Sequence, residues 1–393
     1  MTDYAKLGEF AQNPAQKRYA EALATGLSQT QVAAQFEVNI RTVQRSMKRL
    51  KDAAAKMGYD PERGLYNPVA QGQSLSGVST LYDDAGNIKI QWVKSKAEKE
   101  NDIQAALHDF MEGFCASYKG KSKPVKPPTK ILDDLLSLYC LGDLHYGARA
   151  WAKETGVENF DTDIAEADLT SALTQLVSMV PDSKVGVILN LGDAFHLDGL
   201  KPFTPESGHV LDTDGRLSHT IQALARTFRR AVDLMLAKHK EVWMINVRGN
   251  HDPSASLFFN HIMKAYYEND ERVTVFDNEC KFINFVWGKC LIATHHTDKI
   301  NFQRWYEALT RDYPQMWGST KYRYGHGGHV HHEQVKEIGG IIFHTWQTLA
   351  APDAWHAASG YGSGRSATAI TYDKEWGEVS RVKCGIELAR SIQ

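Results

Sequence analysis

Four short runs of apolar residues in the second half of the chain each end at a polar motif. The runs cover residues 135–141, 185–191, 242–247 and 290–294. Short, partly β-branched runs of this kind predict buried strands. Amphipathic stretches at 164–179 and 218–239 predict helices between the first three strands. The alternation predicts an α/β fold, in which the polar motifs gather at the carboxyl ends of the strands, where such folds bind ligands.

Residues 1–57 show a helical pattern instead. The stretch 13–25 predicts one helix, Ser28 begins a capping box that opens a second, and Asn39 caps a longer third. One face of the third helix is apolar, and its outer face carries basic and amide side chains, among them Arg41, Gln44, Arg45 and Lys48. The segment 27–50 resembles a helix-turn-helix, although Glu37 stands where the turn usually has glycine. The resemblance implies that these four side chains contact DNA in the major groove. The alternative is a small helical adaptor with a solvated basic face.

The middle of the chain, residues 58–130, has a mixed pattern. Alternating residues at 78–82 and 88–93 predict a β-hairpin. A charged helix is predicted at 96–118, and the basic, proline-rich stretch 119–130 predicts a semi-extended linker. The predicted organisation is therefore a helix-turn-helix domain at 1–57, the hairpin, helix and linker at 58–130, and a catalytic domain at 131–393.

Composition narrows the class of protein. The formal net charge of −2 over 393 residues excludes a basic nucleic-acid coat protein. Five scattered cysteines without a C-x-x-C motif argue against a disulfide framework and for a reducing compartment. The amino terminus does not resemble a signal peptide, and no apolar run approaches the roughly 18 residues of a membrane span. We expect a cytoplasmic protein without a membrane partner.

The polar motifs after the strands are rich in metal-binding side chains. They read Asp143-Leu144-His145, Gly192-Asp193, Gly249-Asn250-His251-Asp252, His295-His296 and Gly328-His329-Val330-His331. Carboxylate, imidazole and amide groups suit Mn²⁺, Fe and Zn²⁺. Residues two apart on an extended segment point the same way, so the paired motif residues can face one ion. Three glycines between 325 and 328 let the histidine-rich loop bend.

Together and in this order, the motifs resemble those of the calcineurin-like metallophosphoesterases. The resemblance implies an α/β fold, a four-layer sandwich of two mixed sheets flanked by helices, behind the small all-α helix-turn-helix domain. It also implies two divalent ions, Mn²⁺ in the first place with Fe or Zn²⁺ as alternatives, and a metal-bridging hydroxide that attacks phosphorus. By position, the ligands are Asp143, His145 and His331 for one ion, Asn250, His295 and His329 for the other, and Asp193 between them. His295 is preferred to its neighbour His296 because it follows the strand directly. The resemblance gives His251 the task of contacting the phosphate or protonating the leaving oxygen.

The second motif, with His196 in Gly-Asp-Ala-Phe-His, is similar to that of SbcD-type DNA repair nucleases. This similarity implies that His196 aids phosphate positioning or the leaving group, with simple packing beside the metals as the alternative. We therefore expect a DNA nuclease of phage or mobile-element type, with DNA as its partner. A homo-oligomer is compatible with this expectation, because helix-turn-helix proteins often dimerise. One rival is a phosphomonoesterase or small-nucleotide phosphodiesterase whose helix-turn-helix regulates or dimerises. Another is a DNA-binding regulator with an inactive phosphoesterase domain, which the full ligand set disfavours.

Overall fold

The computed structural model describes two compact units of the chain. The described residues are 3–56, 59–60, 65–66, 73–82, 88–97, 113, 115–116 and 118–391. The units are Met1–Lys119 and Gly120–Gln393. The boundary between them lies inside the predicted middle segment. The finer three-part division of the chain stays a prediction.

The first unit begins with helices, and two small antiparallel sheets follow them in the chain. Its elements are α1 (Tyr4–Leu7), a 3₁₀ turn (Gly8–Phe10), α2 (Pro14–Ala24), α3 (Gln29–Gln35), α4 (Ile40–Lys56), β1 (Tyr59–Asp60), β2 (Leu65–Tyr66), β3 (Gln73–Tyr82) and β4 (Ile88–Ala97). Strand β1 pairs with β2, and β3 pairs with β4. The pairing of β3 with β4 confirms the predicted hairpin and extends it to Ala97. The predicted charged helix was therefore wrong at its start, and most of the remainder of 96–118 lies outside the described residues.

The helices of the first unit begin where their capping residues predict. Asn13 accepts a hydrogen bond from the Gln16 backbone, and Ser28 forms a complete capping box with Gln31. Buried apolar side chains from all four helices form one core: Leu7, Tyr19, Ala20, Leu23, Val32, Ala33, Val43, Met47, Leu50 and Ala54. The turn before α4 places Glu37 at φ 53°, a left-handed conformation that favours glycine. Glu37 thus adopts a backbone conformation that glycine adopts more readily.

The second unit alternates strands and helices. Its strands are β5 (Leu132–Leu141), β6 (Ser183–Asn190), β7 (Glu241–Asn246), β8 (Val273–Val275), β9 (Ile283–Trp287), β10 (Cys290–His295), β11 (Tyr322–Gly327), β12 (Gln334–Ile338), β13 (Ile341–Thr345), β14 (Ser366–Asp373) and β15 (Gly377–Gly385). Its helices are α5 (Ala152–Thr155), α6 (Thr162–Met179), α7 (Leu217–Lys238), α8 (Ala255–Tyr266), α9 (Phe302–Asp312), α10 (Pro314–Ser319), α11 (Ala354–Ala358) and α12 (Ile386–Arg390). The predicted strands and helices of this region are confirmed.

The strands form two mixed sheets. The larger has the order β15-β14-β5-β6-β7-β8, with β5 to β8 parallel and β14 and β15 antiparallel. The smaller has the order β12-β13-β11-β10-β9, with β10, β11 and β13 parallel. Apolar side chains from both sheets meet in one buried core, represented by Leu138, Val187, Ile245, Ile292 and Tyr372. The sheets therefore pack face to face, as the predicted sandwich requires.

Helices cover the outer faces of both sheets. Helices α6 and α7 pack together and contact strands of the larger sheet. On the smaller sheet, Trp305 and Leu309 of α9 form a cluster with Ala293 and Phe343 of the strands. This arrangement confirms the fold class, an α/β sandwich of two mixed sheets flanked by helices. Within the described residues, no helix is both long and apolar enough to cross a membrane.

The predicted linker is hydrogen-bonded to the second unit. It lacks regular secondary structure, but the Gly120 backbone N–H donates to the Ala265 carbonyl over 2.9 Å. Farther along, the Arg272 guanidinium donates to the Val125 carbonyl over 2.8 Å. From Gly120 onward the predicted linker is therefore part of the second unit, because hydrogen bonds to its backbone fix it against the domain.

Candidate metal centre

The predicted ligands lie in loops whose backbone is held in a costly conformation. Asp143, His145, Asp193, His329 and His331 all have positive φ, with values of 41°, 45°, 50°, 73° and 56°. Non-glycine residues rarely adopt this region, and such strain clusters at functional sites. The loops after β5 and β6 and the loop after β11 thus aim side chains that an unstrained backbone would direct elsewhere.

One group of donors comes from the loops after β5 and β11. The Nε2 atoms of His145 and His331 are 3.1 Å apart, and His331 Nε2 lies 3.5 Å from Asp143 Oδ1. Asp143 is fully buried, and both of its oxygens accept the His329 backbone N–H at 2.9 Å. Thr348 adds a hydrogen bond to the Asp143 carbonyl. The structure therefore brings together the three residues expected to share the first ion.

A second group of donors lies beside the first. His296 Nε2 is 3.1 Å from Asp193 Oδ2 and 3.0 Å from Asn250 Oδ1. The donor atoms of Asp193, His296 and His329 all lie within 4.8 Å of one another. The two groups approach closely, since His296 Nδ1 lies 4.0 Å from Asp143 Oδ1.

The preference for His295 over His296 is corrected by this geometry. His295 ends β10 on the same face as Ala293, which points to helix α9. Its ring packs against Phe282 and Trp305, with centroids 4.6 and 5.8 Å away, and its Nδ1 accepts the Thr297 backbone N–H. The side chain that faces the donor cluster is His296, one residue later.

The donor set fits divalent ions. Two ligand atoms bonded to one ion at about 2.0–2.2 Å lie roughly 3–3.5 Å apart. The distances from His331 to His145 and Asp143, and from His296 to Asp193 and Asn250, fall in this range. His296 Nδ1 lies 2.8 Å from the Leu191 carbonyl, so a proton on Nδ1 leaves the Nε2 lone pair free for a metal. Glycine is required at 249, because a Cβ there would collide with Asp193.

Buried charges hold the second group together without metal. Burial alone would lower the pKa of His296, but the carboxylates of Asp193 and Asp143 raise it to about 10. Burial opposes ionisation of Asp193, yet His296 holds the pKa of this carboxyl well below its ordinary value. Burial also keeps the pKa of His145 well below its ordinary value. A metal bound at Nε2 would replace the His296 proton, so metal binding should release protons.

His251 and His196 lie next to the first group. The His251 backbone N–H donates to Asp193 Oδ1 over 2.8 Å, and its Nδ1 lies 3.0 Å from the His196 carbonyl. With Nδ1 donating there, the His251 Nε2 is free to face a substrate. His196 is buried, its ring stacks on His251, and its Nδ1 lies 3.3 Å from His145 Nδ1. Its buried Nε2 has no partner among the described residues. This geometry favours a role for His196 through its neighbours over direct phosphate contact.

Asp252 supports the donor loops, a role that the sequence alone did not predict. It is fully buried and accepts hydrogen bonds from the backbone N–H groups of Gly249 and Phe195, over 2.9 and 3.2 Å. It therefore ties the loop after β7 to the loop after β6. Burial and the nearby Asp193 raise its pKa to about 7. Its place in the Gly-Asn-His-Asp motif is the signal that could have drawn attention to it.

His326, His332 and Arg248, which lie in or beside the motifs, have other surroundings. His326 is buried between Tyr372 and Trp346, with hydrogen-bond distances of 3.1 and 3.2 Å, and His332 is exposed. Arg248 donates to the Glu279 carbonyl. The aromatic Trp305 of α9 is fully buried and packs in the cluster with Phe343.

The four predicted DNA contacts lie in the first unit. Arg41, Gln44, Arg45 and Lys48 are all exposed on α4, opposite its buried face. They form one polar surface, which fits the geometry of a recognition helix as well as that of a solvated face.

The sequence of the second unit matches a known protein family. The family model described as calcineurin-like phosphoesterase matches residues 136–368, more than half of the chain. Among curated proteins, no sequence matches the chain. The YfcE phosphoesterase of E. coli is 11% identical, with a TM-score of 0.32 over 63% of this chain and 98% of its own. Vps29 of Entamoeba histolytica, solved with Zn²⁺, is 14% identical, with a TM-score of 0.27 over 64% of this chain and 99% of its own. A conserved uncharacterized protein of Streptococcus pneumoniae TIGR4 is 10% identical, with a TM-score of 0.27 over 64% and 98%. The chain belongs to the calcineurin-like phosphoesterase family, a family of metal-dependent phosphoester hydrolases.

Proposed function

We propose that the protein is a two-metal-dependent phosphodiesterase that hydrolyses DNA. One observation carries the proposal: two groups of metal donors lie side by side at the carboxyl ends of the strands, at separations that suit two divalent ions. Paired ions in phosphoesterases lie roughly 3.5–4 Å apart and act on one phosphate.

The proposed ligands follow the two groups. Asp143, His145 and His331 would hold one ion, Asn250, His296 and His329 the other, and Asp193 would bridge them. We propose Mn²⁺, with Fe or Zn²⁺ as alternatives, because oxygen and imidazole donors suit all three. When bound, the ions supply positive charge for the phosphate oxygens and an activated water at neutral pH.

The chain itself would orient the substrate and move a proton. The His251 Nε2, left free by the Nδ1 contact with the His196 carbonyl, would hydrogen-bond a phosphate oxygen or protonate the leaving oxygen. His196, stacked on His251, would keep that ring in place. Asp252 would fix the distance between the two loops that carry Asp193 and Asn250.

DNA is proposed as the substrate on two grounds. The second motif, which ends at His196, is similar to that of SbcD-type nucleases. The first unit presents Arg41, Gln44, Arg45 and Lys48 on one exposed helix face, which as a helix-turn-helix would bind phosphates and base edges. The rival is a small phosphoester substrate, with the first unit as a regulatory or dimerisation module.

Comparing the hydrolysis of three substrates with Mn²⁺ tests the proposal. The substrates are bis-p-nitrophenyl phosphate, p-nitrophenyl phosphate and labelled linear DNA, and an Asn250→Ala/His251→Ala double variant is the control. We expect cleavage of the diester and of DNA, and loss of both in the variant. Rapid monoester hydrolysis with intact DNA would refute the nuclease proposal and favour the rival.

A further inference from the structure

Two exposed aromatic rings lie in the segment that follows β13. Trp355 of α11 is 61% exposed and Tyr361 is 62% exposed. The rings stack on one another, with centroids 5.5 Å apart and planes 25° from parallel. We call this pair the aromatic platform. Single exposed aromatic residues are common, but a stacked pair keeps a large flat apolar surface in water.

The aromatic platform adjoins the first donor group. The His356 ring lies 5.1 Å from Trp355 on one side and 5.2 Å from His331 on the other. Asp353 Oδ1 lies 2.7 Å from His356 Nδ1, and Ser363 Oγ donates to the His331 carbonyl over 2.6 Å. The segment is therefore anchored on a proposed metal ligand at two points, through the His356 ring and through Ser363.

The chemistry of the segment points to a flat, uncharged ligand. Residues 351–364 contain no lysine or arginine, so this segment has no lysine or arginine side chain that could bind a phosphate beside the aromatic platform. Arg365, the next residue, is buried in ion pairs with Glu158 and Asp168. A ring surface without charge, beside a centre that binds phosphate, suits the base of the same nucleotide.

We propose that Trp355 and Tyr361 stack on a nucleobase attached to the phosphodiester that is hydrolysed. This inference rests on the proposed function and assigns a base-binding subsite to it. The same stacking would serve an unpaired base of a DNA strand or the base of a free nucleotide. Trp151, the residue before α5, is also exposed at 57%, and α5 packs against α11.

Binding of a short oligo(dT) to the full chain with Mn²⁺, followed by fluorescence anisotropy, tests the inference. A His251→Ala background limits hydrolysis during the measurement. An abasic oligonucleotide of equal length and charge reports the phosphate contribution alone. Trp376→Ala is the matched control, since Trp376 is 73% exposed at the turn after β14, at the end of the sheet opposite the donors.

We expect Trp355→Ala to weaken oligo(dT) binding on the order of ten-fold or more, because base–aromatic stacking has that magnitude. Trp355→Phe should restore part of the affinity, and Trp376→Ala should bind as the background does. Thymidine monophosphate distinguishes the two sources of the base: comparable loss with it indicates a nucleotide subsite, and loss with oligo(dT) alone indicates a strand subsite.

Two results would overturn the inference: equal binding of oligo(dT) and the abasic strand, or equal binding by the Trp355→Ala and Trp376→Ala variants. Hydrolysis of bis-p-nitrophenyl phosphate by the wild type separates this failure from failure of the proposed function. If the wild type cleaves the diester but ignores the base, only the base-binding subsite is wrong.

Discussion

Replacing His296 should abolish one metal site, whereas replacing His295 should leave both intact. His296 Nε2 lies within 3.1 Å of Asp193 and Asn250, while His295 packs against Phe282. Losing a partner that only supports a ligand costs metal affinity roughly 10–100-fold. Loss of the ligand itself should therefore cost at least about 100-fold, or about 2.7 kcal/mol.

The two variants should also differ in stability without metal. His296→Ala leaves Asp193, 1% exposed, without its counter-ion, and breaking a buried pair in this way costs about 3–5 kcal/mol. Burial lowers the pKa of His295 to about 4, so this ring is neutral at pH 7. Its removal costs packing and the hydrogen bond from the Thr297 backbone N–H, but no ion pair. We expect His295→Ala to lose about 1–3 kcal/mol of unfolding free energy.

Calorimetric titration with Mn²⁺ and urea unfolding of the metal-free protein measure both effects. His295→Gln, which keeps a polar side chain of similar length, is a gentler companion variant. If His295 variants lose a metal while His296→Ala binds two with unchanged affinity, the arrangement of donors described above is wrong.

Three further predictions concern the sandwich itself and are checked by urea unfolding. Asp168→Ala should cost about 3–5 kcal/mol, because it leaves the buried Arg365 and the half-buried Arg390 without this carboxylate; a cost below 1 kcal/mol would contradict the buried network. Gly186→Ala should cost about 1–3 kcal/mol, since the added Cβ collides with the His239 ring, and wild-type stability would show that the ring moves freely. Burial lowers the pKa of His239 from 6.5 to about 4, so the neutral ring stabilises the fold above pH 6.5. This contribution to the unfolding free energy is lost as the pH falls from 6.5 toward 4, by up to about 1.4 kcal/mol per pH unit. His239→Gln should make the unfolding free energy less dependent on pH in this range, and an unchanged pH dependence would refute the prediction.

The sheets and the edge that carries the donors could be predicted because their signals are local. Short apolar runs set the strands, and each run ends at a polar motif, so topology alone gathers Asp143, Asp193 and Asn250. That these three residues lie at one edge of the sheet can be predicted without knowing how side chains pack.

The choice between His295 and His296 could not be made in this way. Neighbouring residues at a strand end point to opposite faces, and the face turned toward the donors depends on how β10 sits between β9 and β11. The same alternation turns His326 into the core between the sheets, although it belongs to the histidine-rich stretch. Residue types revealed the chemistry, but the register of the strands decides which imidazoles take part.

The position of Trp355 and Tyr361 beside the donors could not be predicted for another reason. Their segment has no strand or metal motif of its own, and its importance comes from its contact with His331. The contact of His356 with His331 joins residues 25 positions apart, with β12 and β13 between them, and no periodicity predicts it.

The proposed function requires that two divalent ions, held by the two donor groups, together support phosphodiester hydrolysis. Stepwise addition of Mn²⁺ to metal-depleted protein, with bis-p-nitrophenyl phosphate hydrolysis followed at each step, tests it most directly. Activity should start near zero and reach its plateau at about two ions per chain, as the paired-metal mechanism requires. A plateau at one ion per chain, or full activity before any metal is added, would contradict it.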